Sequence, residues 1–354
     1  MPKRRGAVIG YGFIAEHGHM PAYKDSELEI VALADVCAAR RELAAKALPG
    51  VRIYEDHESL IAKERDIEFV DVTAPPYAHA RIAEAALAAG LHVICEKPLA
   101  TKAEDARALL ALAEKQKRVL FPSHNYRHAP VIKAVRQVID AGLIGKVHYV
   151  TLDTFRNTHA RGVREWNENW RRQKKYSGGG IAMDHGSHTF YLAFEWLRSY
   201  PTAITAKMSH AAGADTEDSF SSTITFPTGT AVAQLTWTAG IRKVIYTVHG
   251  DKGAIRVEDD DVEVAIMGQP SNPIDSGRVT WEMKKERVSS DWMDASHVTW
   301  FGSLFERFNT AIEERDYVGK DARDALACIE LITAAYASAA DGCREQTLGG
   351  PGRD

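Results

Sequence analysis

The sequence predicts two joined architectures: a parallel α/β domain over residues 1–122, then an α+β domain with a large, mostly antiparallel open sheet over 123–354. Three observations predict it. Short apolar runs alternate with amphipathic helical stretches through the first 122 residues, the pattern of a sheet wrapped by helices. A glycine-rich turn, Gly10-Tyr-Gly12-Phe-Ile-Ala15, follows the first of those runs. Beyond Gly145, strand-like runs follow one another with only turn signals such as Pro227-Thr-Gly229 and Gly250-Asp-Lys-Gly253 between them, which implies hairpins.

In the first domain the expected strands are Gly6–Ile9, Leu28–Ala34, Phe69–Thr73, His92–Cys95 and Val119–Phe121. Helices are expected at Ala38–Ala47, Ala78–Ala89 and Ala103–Lys117, and Ala129–Ala141 leads out of the domain. Gly50 and Gly90 stand just past helical runs, where a left-handed cap is often needed, and the Ala129–Ala141 helix ends at Gly142. In the second domain, strands are expected at Val147–Thr154, Ala203–His210, Ser219–Phe226, Ala231–Thr238, Lys243–His249 and Ala254–Val257. Helices return at Asp184–Arg198, near His297–Arg315 and at Ala322–Ala340, and Gly349–Asp354 reads as a frayed tail. Alternating runs such as Thr223-Ile-Thr-Phe226 give this sheet two distinct faces.

Composition narrows the function classes. A net charge of −4 gives no basic field for nucleic acid or an anionic membrane. No stretch approaches the apolar length of a membrane span. Cys37, Cys95, Cys328 and Cys343 are scattered without metal-ligand spacing, which suits a reducing cytosol and sets metal aside. The N-terminal residues lack the pattern of a signal peptide. A soluble cytoplasmic protein is the expectation.

The glycine turn is the GxGxxA form of a dinucleotide site, the opening of a Rossmann domain. Gly10 allows the tight turn, Gly12 admits the pyrophosphate to the backbone, and Ala15 permits close helix–sheet contact. The helix start at Phe13 and Ile14 offers N–H groups to phosphate. Asp35 ends the second strand, where a carboxylate accepts hydrogen bonds from the adenosine ribose hydroxyls and repels a 2′-phosphate. NAD is the expected cofactor. Arg40 and Arg41 leave NADP open, unless they are simply solvated on a surface helix.

Val93-Ile-Cys-Glu96-Lys97-Pro98 resembles the Glu-Lys-Pro motif of the glucose–fructose oxidoreductase/inositol dehydrogenase (Gfo/Idh/MocA) family. So do Thr73-Ala-Pro75-Pro76 with His79, His124-Asn125-Tyr126-Arg127, Leu143-Ile-Gly145-Lys-Val147, and Gly178-Gly-Gly180 followed by Asp184 and His188. The resemblance implies hydride transfer between a nicotinamide and a sugar, inositol or related polyol bound between the domains. It implies Thr73, Pro75, His79, Glu96, Lys97 and Asn125 near the cofactor, and Tyr126 near the substrate. It also implies dimers or tetramers built on the second sheet.

Chemistry supports the same residues. Oxidising a secondary alcohol needs a hydride acceptor and a base for the hydroxyl proton. Lys97 lies just past a parallel strand, at the carboxyl edge where open α/β sheets bind ligands, and Pro98 holds the residue before it extended. Asp184 and His188 are four apart, so on a helix they share a face. The histidine can move the proton and the carboxylate can orient it or bind a hydroxyl. The alternative is that Asp184 caps the helix after the three glycines and His188 is core. His185 is expected to point about 100° away from Asp184. The chain departs from the family pattern at His185 and at Tyr191, where an apolar and an acidic residue are usual.

The segment from Arg156 to Lys175 holds seven cationic residues against Glu165 and Glu168. Trp170-Arg171 resembles a family Trp-Arg pair that can stack on a sugar and donate paired hydrogen bonds. Arg156 and Asn157 leave a strand edge toward the cleft. The charge excess suits an acidic or phosphorylated sugar, or equally a solvated loop or subunit contact. His17 and His19 read as surface or packing residues, and His297, Trp300 and Phe301 as core. Two other functions remain open: a glycoside hydrolase or lyase using NAD transiently, and a dinucleotide-binding sensor.

Overall fold

The computed structural model describes residues 3–211, 213–268 and 280–349. Of the terminal segment 349–354, only Gly349 falls within them. The first sheet holds β1 (Arg4–Ile9), β2 (Leu28–Ala34), β3 (Arg52–Tyr54), β4 (Phe69–Val72), β5 (His92–Cys95) and β6 (Leu120–Pro122). All its pairings are parallel, in the order β3-β2-β1-β4-β5-β6. That is the doubly wound order in which ligands sit beyond the strand carboxyl ends, beside β1 and β4.

Local chemistry explains where these elements start and stop. Pro76 and Pro130 each open a helix at the first turn, where a missing N–H costs nothing. Asp56 caps the short helix His57–Lys63 by accepting from the Ser59 N–H at 2.7 Å. The expected strands and helices of this domain appear within two residues of their predicted ends. β3 and the His57–Lys63 helix were not expected. Three strand residues between Gly50 and Asp56 are too few to show a period.

The second sheet runs β14-β13-β12-β11-β7-β10-β9-β8-β15. Its members are β7 (Val147–Phe155), β8 (Ala203–Ser209), β9 (Ser219–Phe226), β10 (Gly229–Thr236), β11 (Lys243–Gly250), β12 (Gly253–Glu258), β13 (Asp261–Met267), β14 (Trp281–Arg287) and β15 (Gln346–Thr347). Only the β7–β10 pairing is parallel. In β9, Phe220, Ser222, Ile224 and Phe226 face the core while Ser221, Thr223 and Thr225 face out. The helices Ile181–Leu197 and Lys320–Ala340 cover the inner face, burying Phe190, Trp196, Leu331 and Ile332 against it. Sequence reading missed β13, β14 and β15. β14 is exposed along its whole length, so burial imposes no alternation on it.

The helix Val298–Glu314 crosses back to the first domain. Its Phe301, Leu304, Phe305 and Phe308 share one core with Val8, Leu33 and Phe69 of the first sheet and Tyr23 of the short helix Met20–Tyr23. Arg127 ties the junction together: it pairs with Glu195 at 2.9 Å, with Asp324 at 2.5 Å and with Asp321. None of the described helices is long and apolar enough to cross a membrane.

Candidate active site

A cavity of about 450 Å³ opens between the two sheets, at the carboxyl edge of the parallel one. Apart from Ala15 and Arg41, every residue named above for cofactor or substrate lines it, from Asp35 at one end to Tyr126 and His188 at the other.

At the cofactor end the backbone does most of the shaping. Gly10 has φ +103°, and a Cβ there would lie 2.7 Å from the Ala74 nitrogen, so the turn and the strand behind it admit only glycine. At Gly12 a Cβ would meet nothing within 4 Å, so it would project into the cavity where a phosphate approaches. Phe13 and Ile14 follow in a helix that widens over Ala15–His19. Asp35 accepts from the Tyr11 N–H at 2.6 Å and the Cys37 N–H at 2.7 Å, which fixes its carboxylate at the rim. Thr73 donates to the Gly10 carbonyl at 2.5 Å, and Pro75 and the buried Asn125 complete the lining. The Asn125 Oδ1 is buried with no partner. An open cradle beside a helix start, a fixed rim carboxylate and an unpartnered amide oxygen fit a nicotinamide dinucleotide.

Arg40 is not a solvated surface residue. Its guanidinium is buried, donating to the Tyr11 carbonyl at 2.6 Å and to Glu16 at 2.5 Å. Arg41 donates to the Asp35 carbonyl at 2.8 Å. Both arginines are thus committed to the chain itself. His79 sits between the Pro98 and Ala74 carbonyls at 2.7 and 2.6 Å, so it braces the Glu96–Pro98 segment while lining the cavity. The Lys97–Pro98 peptide is cis.

His19 is neither a surface residue nor mere filler. It is fully buried, with Nδ1 2.6 Å from Asp71 and Nε2 3.1 Å from Glu96, its ring against Phe301. Burial disfavours its charged form, but the two carboxylates outweigh burial and raise its pKa to about 9. Glu96 is held below its ordinary value: burial pushes it up, and His19 and Lys97 pull it further down. A histidine of the glycine-rich segment therefore anchors the residue beside Lys97.

At the other end, Lys97 Nζ lies 2.8 Å from Asp184 Oδ1 and donates to the Asp184 carbonyl at 2.9 Å. Asp184 does not cap its helix. Glu217 does that, accepting from the Gly180 N–H at 2.8 Å and the Ala182 N–H at 2.9 Å. Gly180 is needed because a Cβ would lie 2.0 Å from the Glu217 carbonyl oxygen. Asp184 is thereby free to face the cavity. Burial alone would raise its pKa, yet Lys97 and Arg171 hold it well below the carboxylate range. Arg171 Nε is 3.5 Å away, and its guanidinium stacks over Trp170 at 4.1 Å.

His188 is 8% exposed and stacks on Tyr126 with centroids 4.1 Å apart and planes 11° apart. Burial and then the Lys97 charge lower its pKa well below the ordinary value, so the ring is neutral near pH 7. Its Nδ1 has no partner. His185 does not point away as helix geometry alone suggests: its Nδ1 is 3.3 Å from Asp184 Oδ2, brought there by the side-chain torsions. Burial lowers its pKa to about 4, only partly offset by Asp184. Tyr191, one turn beyond His188 on the same helix face, does not line the cavity; it is buried and stacked on His124 at 4.1 Å. No cluster of metal-ligating side chains occurs among the described residues.

The charge excess of 156–175 is largely cancelled in space. Arg161 and Arg164 reach Glu168 at 3.2 and 3.8 Å, Arg172 pairs with Asp218, and Arg171 with Asp184. Arg156 and Asn157 do line the cavity, and so do Arg242 and His297, which sequence reading did not associate with it. His297 stacks on Trp300 at 3.7 Å, and burial takes its pKa to about 4.

Comparison with known proteins identifies the family and the fold. Residues 4–124 match the Gfo/Idh/MocA oxidoreductase family model for its NAD-binding Rossmann fold, and 136–344 match that for its C-terminal alpha/beta domain. The chain belongs to this family. Inositol 2-dehydrogenase of Rhizobium meliloti is 27% identical over 347 residues, covering 95% of this chain and 97% of that protein. D-apiose dehydrogenase of Paraburkholderia graminis is 36% identical over 142 residues, covering 40% of this chain and 37% of the other. Several curated relatives, including an oxidoreductase of Synechocystis, are matched over only about half their length, 55% in that case. A solved levoglucosan dehydrogenase in complex with NADH superposes with a TM-score of 0.84 at 22% identity, covering 99% of this chain and 100% of that one. That likeness establishes the shared fold.

Proposed function

We propose that this protein is an NAD-dependent dehydrogenase that oxidises a secondary alcohol of a sugar, inositol or related polyol held between its two domains. The observation that carries the reading is the Lys97–Asp184 pair at 2.8 Å, one helical turn from a neutral, buried His188, in a cavity continuous with Asp35. Gly10, Gly12, Phe13, Ile14, Asp35, Thr73, Pro75, Glu96 and Asn125 would hold the dinucleotide, and His79 would hold the loop that carries Lys97. When bound, the nicotinamide supplies a hydride acceptor.

The chain's own residues manage the proton. The substrate hydroxyl proton passes to a ring nitrogen of His188, which burial and Lys97 keep neutral and therefore able to accept it. Lys97 donates a hydrogen bond to the same oxygen and stabilises negative charge developing there. Asp184 fixes the ammonium, and stacking on Tyr126 fixes the imidazole plane. Trp170, Arg171, Arg156 and Asn157 supply a stacking face and donors for the remaining hydroxyls.

The test is NADH and NADPH formation across inositols, aldoses and sugar acids. Steady NADH accumulation with one of them supports the reading. Cofactor binding with product formation but no net reduction would replace it with transient redox chemistry, and binding with neither would favour a sensor.

We further propose a homodimer or homotetramer assembled on the second sheet, in the cytoplasm. Supporting it, Met267 and Trp281 pair across the β13–β14 hairpin and are 41% and 52% exposed, and Met283 beside them is 55% exposed. A monomeric mass in light scattering at every concentration would end this part of the proposal.

A further inference from the structure

Among the described residues, two guanidiniums at the substrate end of the cavity have no anion of their own. Arg156 is 8% exposed, and its one side-chain hydrogen bond goes to the Phe155 carbonyl at 3.1 Å. Arg242 donates to the Met293 carbonyl at 2.9 Å, while its Nε is buried with no acceptor. Among the described residues, neither takes part in an ion pair, although Arg161, Arg164, Arg171 and Arg172 from the same basic stretch all do. The two acidic groups near Arg242 are already engaged. Asp294 accepts from the Ser296 N–H at 2.9 Å and hydroxyl at 2.7 Å. Asp259 accepts from the Val244 N–H at 2.9 Å and pairs with Lys243 at 3.1 Å.

The two cations also act on each other. Burial, and then the Arg156 charge, make protonated Arg242 less favourable than an ordinary arginine. The same pair adds to burial in lowering His297. Asp184 cannot neutralise this end, because Lys97 and Arg171 already share it. Arg156 is buried and Arg242 half-buried; charges withdrawn from water without counter-ions are costly, and at a ligand cavity the ligand can supply the counter-ion.

We propose that the substrate carries an anionic substituent, a carboxylate or a phosphate, which Arg156 and Arg242 bind opposite the Lys97–Asp184–His188 group. The assignment rests on reading this cavity as the substrate site of a dehydrogenase, and narrows that reading from polyols in general to sugar or inositol acids and their phosphates. A guanidinium suits both groups, since its paired N–H donors match two oxygens of either.

The experiment measures binding without turnover. Wild-type protein saturated with NADH is titrated calorimetrically with matched sets: glucose, glucuronate and glucose 6-phosphate, then galactose, galacturonate and galactose 1-phosphate. At least one anionic member should bind on the order of 10- to 100-fold more tightly than its neutral partner, as expected for hydrogen bonds to a charged group. The carboxylate and phosphate arms then tell which anion the site takes. Arg242→Gln and Arg156→Gln should each remove most of that preference, and Arg156→Lys should restore part of it. Neutral sugars binding as well as every acid, no binding by any acid, or a preference that survives both glutamine variants would overturn the proposal. The wild-type comparison stands even if a variant fails to fold. NADH formation from NAD with the same panel separates the two claims. Acids that bind but are never oxidised would sink the dehydrogenase reading and leave the anion assignment. Oxidation of neutral sugars without an acid preference would do the reverse.

Discussion

The two ends of the cavity are built on opposite principles. At the cofactor end nearly every charge is answered by the chain: Asp35 by two backbone N–H groups, Arg40 by a carbonyl and Glu16, Glu96 by His19. At the substrate end, among the described residues, Arg156 and Arg242 have no ion-pair partner and the Nδ1 atoms of His188 and His297 lack partners. A site for a common cofactor can be rigid before it is filled, because its ligand brings only what the backbone already expects. A site that selects a substrate leaves its strongest groups unsatisfied, so that only the right ligand completes them.

The sharpest way to break the comparison is at Lys97, where the two ends meet. Lys97→Met should lower kcat by about 10²- to 10⁴-fold, the range for losing a positioned proton-handling group. NADH should still bind, as read by its fluorescence, because the glycine turn and Asp35 are untouched. The thermal midpoint should also fall, since Asp184 loses its closest cation in a buried setting. Unchanged turnover would remove Lys97 from the chemistry.

The glycines sharpen the cofactor half. Gly12→Ala should leave the fold intact, because its Cβ meets nothing in the protein, yet weaken NADH binding by about tenfold or more where the phosphate comes close. Gly10→Ala should do the opposite first: at φ +103° against the Ala74 backbone it should cost about 1–3 kcal/mol of stability. Equal loss of stability in both variants would mean that Gly12 is structural. Next in size comes Asp35→Ser, which should reduce the NAD-over-NADP ratio of kcat/KM by roughly 10- to 100-fold, the worth of hydrogen bonds to a charged group. A ratio that does not move would take discrimination away from the rim carboxylate.

The same contrast explains what could be read in the sequence. Gly10, Gly12 and Asp35 are specified by local turn and strand-end geometry, so they lie close together along the chain and announce themselves. Asp184 and His188 share one helix and are legible for the same reason. Arg242, His297 and Glu217 reach the site from separate segments of the second domain, and no spacing connects them to Lys97. The basic stretch 156–175 misleads because charge was counted along the chain. Asp184 and Asp218 cancel much of it from elsewhere in sequence, and of the cations that stay unpaired among the described residues, Arg156 is the one that lines the cavity. His19 reads as surface or packing in the sequence because the Asp71 and Glu96 that charge it lie in one strand and just past another, 52 and 77 residues away.

Histidines on the two sides should also split the pH dependence of stability, a smaller effect measurable as the denaturation midpoint between pH 4 and 9.5. His19 has a folded pKa of about 9 against about 6.5 when unfolded, so the folded state binds the extra proton between those values. Its stabilisation is whole below pH 6.5 and is lost as pH rises toward 9, on the order of 3 kcal/mol in all. His185 and His297, each near 4 when folded, have the opposite sign: the unfolded state binds more protons between 4 and 6.5, so stability falls as pH drops through that window. His19→Gln should flatten the alkaline limb and leave the acid limb standing. An alkaline limb that survives the substitution would mean that Asp71 and Glu96 do not hold an imidazolium between them. If it disappears as expected, the charge that braces the cofactor end is already present before any ligand arrives, whereas the charges at the substrate end still await theirs.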